Sequence, residues 1–184
     1  MAGHNSFAAE PLVSGAQIRR LRREDAARLS GAYLRNRAHL APWEPVRTEE
    51  FFTPGHQLKV IADKLGQHAV GQEMPWVLVA GDRIIGAVTL TGIVRGPFLS
   101  ANLGYWVDHD VNGNGIGSAA VNFAVEQART ALGLHRIQAA TLVHNAPSRK
   151  ILQRAGFQEI GVAQHYLNIA GTWQDHLLHQ LILH

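Results

Sequence analysis

The chain has 184 residues, a formal net charge of +3 and no cysteine, and 46% of its residues are hydrophobic. This size and hydrophobic content suit one domain with a substantial core. The lack of cysteine excludes disulfides, thiolate metal sites and a cysteinyl acyl-enzyme. No apolar run approaches the ~18 residues that a transmembrane helix needs, so no membrane partner is expected.

Composition predicts how the chain is divided and where the protein is located. Residues 1–15 have no hydrophobic signal-peptide region and are expected to be a flexible lead-in to a single domain over residues 16–184. A protein of this kind without cysteine is compatible with a cytoplasmic location. The positive charge could favour an acidic or RNA-rich partner, but compositional bias is the simpler explanation, and no direct DNA binding is expected.

Apolar periodicity and turn residues predict the elements in chain order. The first half is expected to contain a strand (Gln17–Leu21), helices (Asp25–Arg37 and His56–Val70), a hairpin (Trp76–Ala80 and Arg83–Leu90) and a third strand (Leu99–Val107). The second half is expected to contain a helix (Ile116–Leu132), a strand (Ile137–Val143), a helix (Pro147–Ala155) and a closing hairpin (Phe157–Ile169 and Trp173–Ile182). This order predicts an α/β fold with a mixed, mainly antiparallel sheet, flanking helices and a parallel strand pair at Tyr105/Ile137.

A glycine-rich turn between the third strand and the long helix is the most informative motif. Gly113, Gly115 and Gly117 lack side chains, so a diphosphate could approach the backbone and the first N–H groups of the helix. An ordinary strand-ending turn uses the same residues, and the glycine spacing alone leaves both interpretations open. A P-loop is excluded because no lysine precedes Ser118.

A second motif, HNAPSRKILQRAGF, follows the next strand at His144–Phe157. Pro147 suits the first turn of a helix, Asn145 and Ser148 offer capping oxygens, and Gly156 marks the helix end. Each of these residues has an ordinary structural role. The order of strand, glycine turn, helix, strand and Asn-x-x-Ser is the specific feature.

With these two motifs, the chain resembles the GNAT superfamily of N-acetyltransferases. That family binds phosphate with Gln/Arg-x-x-Gly-x-Gly/Ala and holds acetyl-CoA between two splayed parallel strands, so the resemblance implies acetyl-CoA as cosubstrate. The 11 histidines show no metal-ligand spacing, so no metal site is expected. Asn112 replaces the usual Gln or Arg, which alters one side-chain contact but not the backbone cradle. The cofactor-binding residues implied by the resemblance are Trp106, Val107, Asn112, Gly113, Asn114, Gly115, Ile116, Gly117, Ser118, Asn145, Ser148 and Arg154. Arg154 could contact a CoA phosphate or remain a solvated helix arginine.

Further segments resemble the RimJ/RimL branch of the superfamily, and its RimJ pattern most. They are HLAPWEPVR, IVRGPF, LGYWV, LHRI and the closing Tyr-Leu-x-Ile-x-Gly-x-Trp-x-Asp-His, and the resemblance spans residues 17–182. It implies transfer of acetyl to the N-terminal alanine of a ribosomal protein. Two alternatives stay open: an acetyltransferase for a small aminoacyl-type molecule, and an acetyl-CoA-binding ribosome-assembly or sensor module with little turnover. The oligomeric state is also open, a homodimer included.

Three residues are expected to carry the chemistry: Ser148, Glu44 and Asn145. Many GNAT enzymes place a tyrosine acid seven residues after the motif asparagine, where this chain has Leu152. Ser148 is then the expected proton donor, with a plain helix cap as its alternative, and Asn145 is expected to bind the pantetheine amides. Some relatives carry a strand glutamate where this chain has Asn102, which cannot accept a proton.

Glu44 is therefore the first choice to bind or deprotonate the acceptor ammonium, with a surface-turn carboxylate as the alternative. Asp108 and Asp110 are weaker candidates for the base. Trp43 is expected to be an acceptor platform or a core residue, and Tyr105 and Trp106 alternate on their strand. The acceptor set is Trp43, Glu44, Asn102 and Tyr105.

Overall fold

The structure, a computed structural model, describes residues 8–184. The strands of this part are β1 (Glu10–Pro11), β2 (Gln17–Arg20), β3 (Met74–Ala80), β4 (Arg83–Val94), β5 (Ser100–Val107), β6 (Arg136–Leu142), β7 (Gln158–Ile169) and β8 (Thr172–Ile182). Its α-helices are α1 (Ala26–Arg35), α2 (Arg37–Leu40), α3 (Pro54–Ala69), α4 (Ile116–Thr130) and α5 (Ala146–Arg154). None of these helices is long and apolar enough to span a membrane.

The strands form one mixed sheet in the order β1-β2-β3-β4-β5-β6-β8-β7. Every neighbouring pair is antiparallel except β5 and β6, which run parallel. The predicted α/β class with a mainly antiparallel sheet is confirmed. The sheet brings two motifs together, because the glycine turn follows β5 and the Asn-x-x-Ser motif follows β6, its parallel neighbour.

The parallel pair differs from its predicted register. Ile137 lies opposite Ala101 and not opposite Tyr105. The N–H groups of His135 and Arg136 both donate to the carbonyl of Leu99, at 2.9 and 3.2 Å, and so pair the strands at their N-terminal ends. The pairing stops after Asn102.

Beyond that point the two strands splay. Residues 103–107 of β5 pair only with β4, and residues 139–142 of β6 pair only with β8. The facing edges of these segments therefore retain backbone hydrogen-bonding groups without a strand partner in the sheet. A V-shaped opening between β5 and β6 results.

Two apolar layers cover the sheet. On one face, Ala120, Val121 and Ala124 of α4 are buried against strand residues such as Leu78. On the other face, α1 and α3 pack on Val77 and its same-face neighbours. The alternation of Val77 and Leu78 between the two layers is the period-two pattern of a strand buried on both faces.

The predicted helix over Asp25–Arg37 is divided at Asn36. The Asn36 side chain is fully buried; its Nδ2 donates to the carbonyl of Ala32 at 2.9 Å, and its Oδ1 accepts the N–H of His109 at 2.9 Å. A side chain that binds backbone groups in this way competes with helix continuation. The helix therefore stops, and the short helix α2 turns toward the glycine-rich loop.

The predicted lead-in of residues 1–15 is only partly described, because residues 1–7 lie outside the described part. Glu10–Pro11 pair with β2, and the hydroxyl of Ser14 donates to the carbonyl of Asn114 at 3.1 Å. Residues 8–15 thus contact both the sheet and the glycine turn. The division into a lead-in and a domain over residues 16–184 remains a proposal.

Candidate active site

A cavity of about 500 Å³ lies at the end of β5, between the glycine turn and α5. Thirteen of the predicted site residues line it: Trp43, Tyr105, Trp106, Val107, Asn112, Gly113, Gly115, Ile116, Gly117, Ser118, Asn145, Ser148 and Arg154. Asn114 is adjacent to this wall in sequence but does not line the cavity. The structure thus brings the two sequence motifs to one site.

The three glycines of the turn have different physical roles. Gly113 and Gly115 have φ angles of +82° and +78°, a region that side-chain-bearing residues avoid. Gly117 lies inside the first turn of α4, where an added Cβ would be 3.1 Å from Cδ1 of Ile151 on α5. Two glycines therefore shape the turn, and the third permits close packing of α4 against α5.

The turn exposes the start of α4 to the cavity. The helix begins at Ile116, and Ile116 and Ser118 line the cavity wall. The first N–H groups of a helix lack intrahelical acceptors and carry the positive end of the helix dipole. This wall could therefore hold a diphosphate.

The cavity has a cationic rim. Lys150 and Arg154, one turn apart on α5, supply its positive charge, and the imidazole of His39 from α2 also lines the wall. The His39 Nε2 lies 3.3 Å from the Asn112 Nδ2, across the turn from α5. Among the described residues, no carboxylate side chain lines this cavity, so its charge suits an anionic ligand.

A pair of hydroxyl groups lies in the wall between β5 and α5. The Tyr105 Oη is 2.7 Å from the Ser148 Oγ. The Asn145 Oδ1 accepts the N–H of Ser148 at 3.2 Å, so Asn145, and not Ser148, caps α5. The helix-cap alternative for Ser148 is therefore wrong. Leu152 is fully buried in the core and offers no acid.

Glu44 lies in a second cavity, of about 320 Å³. This cavity is lined mainly by apolar groups, and Leu40 belongs to the walls of both cavities. The Glu44 side chain is 20% exposed, and its Oε2 is 3.5 Å from the Arg47 Nε. Burial raises the pKa of Glu44, and Arg47 opposes this shift only in part. Glu44 is thus a half-buried carboxylate at the end of a turn, and its role toward the acceptor stays a prediction.

The hairpin of β7 and β8 closes the second cavity. The N–H of Ala170 at its tip donates to the carbonyl of Glu44 at 2.9 Å, and Ala170 lines the cavity wall. On the other side of Glu44, the Arg47 guanidinium lies 4.3 Å from the centroid of the Phe51 ring. The hairpin thus holds the backbone of Glu44, and the Phe51 ring holds Arg47, the ion-pair partner of its carboxylate.

The remaining predicted acceptor residues are divided. Trp43 is partly exposed, lines the first cavity and lies 5.6 Å, centroid to centroid, from the ring of His144, so it is not a core residue. Asn102 is exposed and lines neither cavity. It pairs with Gln138 at the closed end of the splay, where the strands have not yet separated.

Asp108 and Asp110 have structural partners. The Asp108 side chain is fully buried, accepts the N–H of Asp110 at 3.1 Å and lies 3.1 Å from Arg35. Burial alone would raise the pKa of Asp108, but these hydrogen bonds lower it. His109 brings an imidazole to the same cluster, yet Arg35 and Arg83 already neutralise Asp108. This cluster fixes the turn below the cavity.

Several wall residues were not predicted from the sequence. They are His39, Leu40, Val111, Pro147, Lys150 and Ile151. Lys150 could have been found, because Lys150 and Arg154 have the i, i+4 spacing of one helix face. His39 could not, because tertiary contacts such as that of Asn36 with His109 place α2 beside the glycine turn.

Comparison with known proteins gives concordant matches. The GNAT acetyltransferase domain matches residues 17–158. The ribosomal protein uS5-alanine N-acetyltransferase of Escherichia coli (strain K12) is 34% identical over 163 residues, 88% of this chain and 84% of that protein. The crystal structure of ribosomal-protein-S5-alanine acetyltransferase from Vibrio fischeri has a TM-score of 0.90 and 36% identity, and the match covers 95% of this chain and 96% of that one. Mycobacterium smegmatis RimJ in complex with CoA-disulfide has a TM-score of 0.89 and 31% identity, over 95% and 86% of the two chains.

Proposed function

Since the chain belongs to the GNAT acetyltransferase family, we propose that it acetylates the N-terminal α-amine of a ribosomal protein that begins with alanine. Its family and relatives make it an N-acetyltransferase that uses acetyl-CoA. The observation that carries the proposal is that Leu40 lines two cavities, one walled by the start of α4 and one that contains the half-buried Glu44 carboxylate.

The first cavity is the proposed cofactor site. The backbone of residues 112–118 would hold the diphosphate, with Lys150 and Arg154 contributing positive charge. The pantetheine chain would occupy the opening between β5 and β6, where residues 103–107 have no partner in β6. Its amides would replace the missing strand as hydrogen-bond partners, with Asn145 beside them.

The second cavity is the proposed acceptor site. A free α-amine has a pKa of about 7.7 to 8.0, so a substantial fraction is still protonated at neutral pH. The ionised Glu44 would bind this ammonium group, and its raised pKa makes the carboxylate a better proton acceptor than an ordinary surface glutamate. Trp43 would lie between the two sites, since it lines the cofactor cavity and precedes Glu44.

The transfer itself would be direct. The neutral amine attacks the thioester carbonyl carbon, the C–S bond of the tetrahedral intermediate breaks, and its electron pair stays on sulfur. The Ser148 hydroxyl is the proposed donor to that sulfur, since Leu152 carries no proton to give. Glu44 or solvent takes one proton from the ammonium before the attack, and the second proton, released after the attack, restores the Ser148 hydroxyl.

The acceptor identity is supported by the names of two relatives, which modify the alanine of ribosomal protein S5. A ribosomal acceptor would place the enzyme in the cytoplasm. An aminoacyl-type small molecule as acceptor, or a ribosome-assembly role with little turnover, are the competing functions.

Initial rates of CoA release distinguish these functions. The acceptors are short peptides that begin with Ala, Ser or Met, the same peptides with a blocked N-terminus, and an aminoacyl adenylate analogue. The proposal expects the highest kcat/KM with the Ala peptide and none with its blocked form. Turnover with the analogue alone would identify a small-molecule enzyme, and no release above the acceptor-free rate would favour the assembly module.

A further inference from the structure

The hydroxyl pair of Tyr105 and Ser148 is held from both sides. Tyr105 lies in the part of β5 that has separated from β6, and Ser148 lies in the first turn of α5. The Asn145 side chain fixes the backbone of Ser148 through its N–H group at 3.2 Å. Both hydroxyl-bearing residues line the cofactor cavity, with 2.7 Å between their oxygens.

The direction of this hydrogen bond decides where the serine proton points. If the phenol donates to the Ser148 Oγ, the serine keeps its own proton free for another acceptor. In the opposite arrangement the phenol proton would turn to the carbonyl of Ser148, which is 3.4 Å away and offers a much poorer bond. The distances therefore favour the phenol of Tyr105 as donor.

We propose that Tyr105 is a positioning residue that donates a hydrogen bond to the Ser148 Oγ and so directs the serine proton into the cavity, toward the leaving sulfur of the thioester. This inference rests on the proposed role of Ser148. As the C–S bond breaks, the serine proton moves to the sulfur, and the proton lost by the attacking amine restores the Ser148 hydroxyl. Tyr105 keeps its own proton throughout.

The ionisation of Tyr105 fits a donor that does not release its proton. Burial raises the pKa of Tyr105 to about 12, whereas a thiol has a pKa of about 8.5. A proton transfer that left a phenolate behind would therefore be unfavourable, whereas Ser148 regains a proton from the attacking amine as it gives one to the sulfur. The phenol stays protonated across the working pH range and can orient Ser148 continuously.

Two single variants and their double variant test this role. Tyr105→Phe keeps the ring and removes the hydroxyl, and Ser148→Ala removes the proton donor. With saturating Ala peptide, we expect Tyr105→Phe to lower the single-turnover rate about tenfold and to change the acetyl-CoA Kd less than about twofold. The double variant should be no slower than Ser148→Ala alone, because Tyr105 acts only through Ser148. Tyr166→Phe, on an exposed tyrosine of β7, is the matched control.

The outcomes separate this inference from the proposed function. A wild-type rate for Tyr105→Phe, or losses that multiply in the double variant, would overturn the positioning role. A weaker acetyl-CoA affinity without a slower single-turnover rate would mean that Tyr105 only shapes the cavity, which also overturns it. If Ser148→Ala turns over at the wild-type rate, the proposed donor itself is wrong, while acetyl transfer by the enzyme still stands.

Discussion

Among single residues, Glu44 is a carboxylate whose environment differs clearly from that of a solvated side chain. Its carboxylate is mostly buried beside apolar walls, and one arginine at 3.5 Å compensates the burial only in part. The net result is a raised pKa, which costs stability at neutral pH. Such a group is typical of a site that must accept a proton.

Glu44→Gln should therefore impair the acceptor and not the cofactor. We expect kcat/KM for the Ala peptide to fall about 10- to 100-fold, because the amide cannot take a proton, while acetyl-CoA affinity stays unchanged. In the wild type, activity should fall as the pH drops through the raised pKa of Glu44, so the acid limb lies above the ordinary glutamate pKa of 4.5. In the variant this limb should move up to the pKa of the free α-amine, about 7.7 to 8.0.

The measurement is the pH profile of kcat/KM with one peptide, beside acetyl-CoA titration calorimetry. Glu50→Gln is the matched control, because Glu50 lies on the following segment with a side chain that is 65% exposed. An unaltered profile and acceptor constant for Glu44→Gln would leave the base unassigned.

The sequence predicted best those site residues that lie within a single motif. Asn145 and Ser148 lie in one short segment, and local spacing was enough to place them together on α5. The contact of Ser148 with Tyr105 was not predictable, because 43 positions separate the two residues and only the splay of β5 and β6 brings them together. Asn102 lies outside both cavities for a related reason: it still pairs with β6, and the register of β5 on β6 decides which residues lie where the strands have separated.

Among the elements, the junction of β5, the glycine turn and α4 is the proposed binding site for the cofactor. Its conformation depends on left-handed φ angles at Gly113 and Gly115, and on the exposed start of α4. Local turn chemistry made this element predictable from sequence. The division of the first helix was not predictable, since it depends on a tertiary contact of Asn36 with His109.

Gly115→Leu should weaken acetyl-CoA binding about tenfold or more. The substitution imposes a left-handed conformation that costs an L-residue about 1–2 kcal/mol, so the turn would shift its N–H groups away from the diphosphate. It also places a side chain within reach of Val13, whose Cγ2 would be 3.7 Å from the new Cβ.

Calorimetry with acetyl-CoA and circular dichroism would check this variant. Gly71→Leu provides the control, because Gly71 has a similar φ of +74° after α3 and open space around it. This control carries the same backbone strain without lining the cavity. Equal acetyl-CoA affinity in both variants and the wild type would mean that the phosphate cradle lies elsewhere.

In the molecule as a whole, a buried ion pair connects strand β2 of the sheet to the start of helix α1. Arg19 on β2 binds the Asp25 carboxylate, which precedes α1, through two contacts of 2.8 and 2.7 Å. Asp25 also accepts the N–H of Arg22 at 2.9 Å. The orientation of α1, and through it the loop that carries Glu44, depends on this junction. The position of α1 on the sheet could not be predicted, because sequence patterns do not give the order of strands or the packing of helices on them.

Asp25→Ala should lower the free energy of unfolding by about 3–5 kcal/mol, since it leaves a buried guanidinium without its partner. Urea denaturation measures the loss. Glu126→Ala, which removes a surface pair with Arg129, should cost no more than about 1 kcal/mol. A loss as small as that for Asp25→Ala would show that the pair does not hold α1 on the sheet.

Site-resolved mass spectrometry of the product shows whether this enzyme acetylates a protein α-amine. The substrate is a peptide that begins with alanine and contains one internal lysine, incubated with acetyl-CoA and the wild-type enzyme. We expect one acetyl group, on the α-amine of the alanine, and a strongly reduced yield with Ser148→Ala. An acetyl group on the lysine, or an unmodified peptide under conditions where acetyl-CoA binds, would contradict the account.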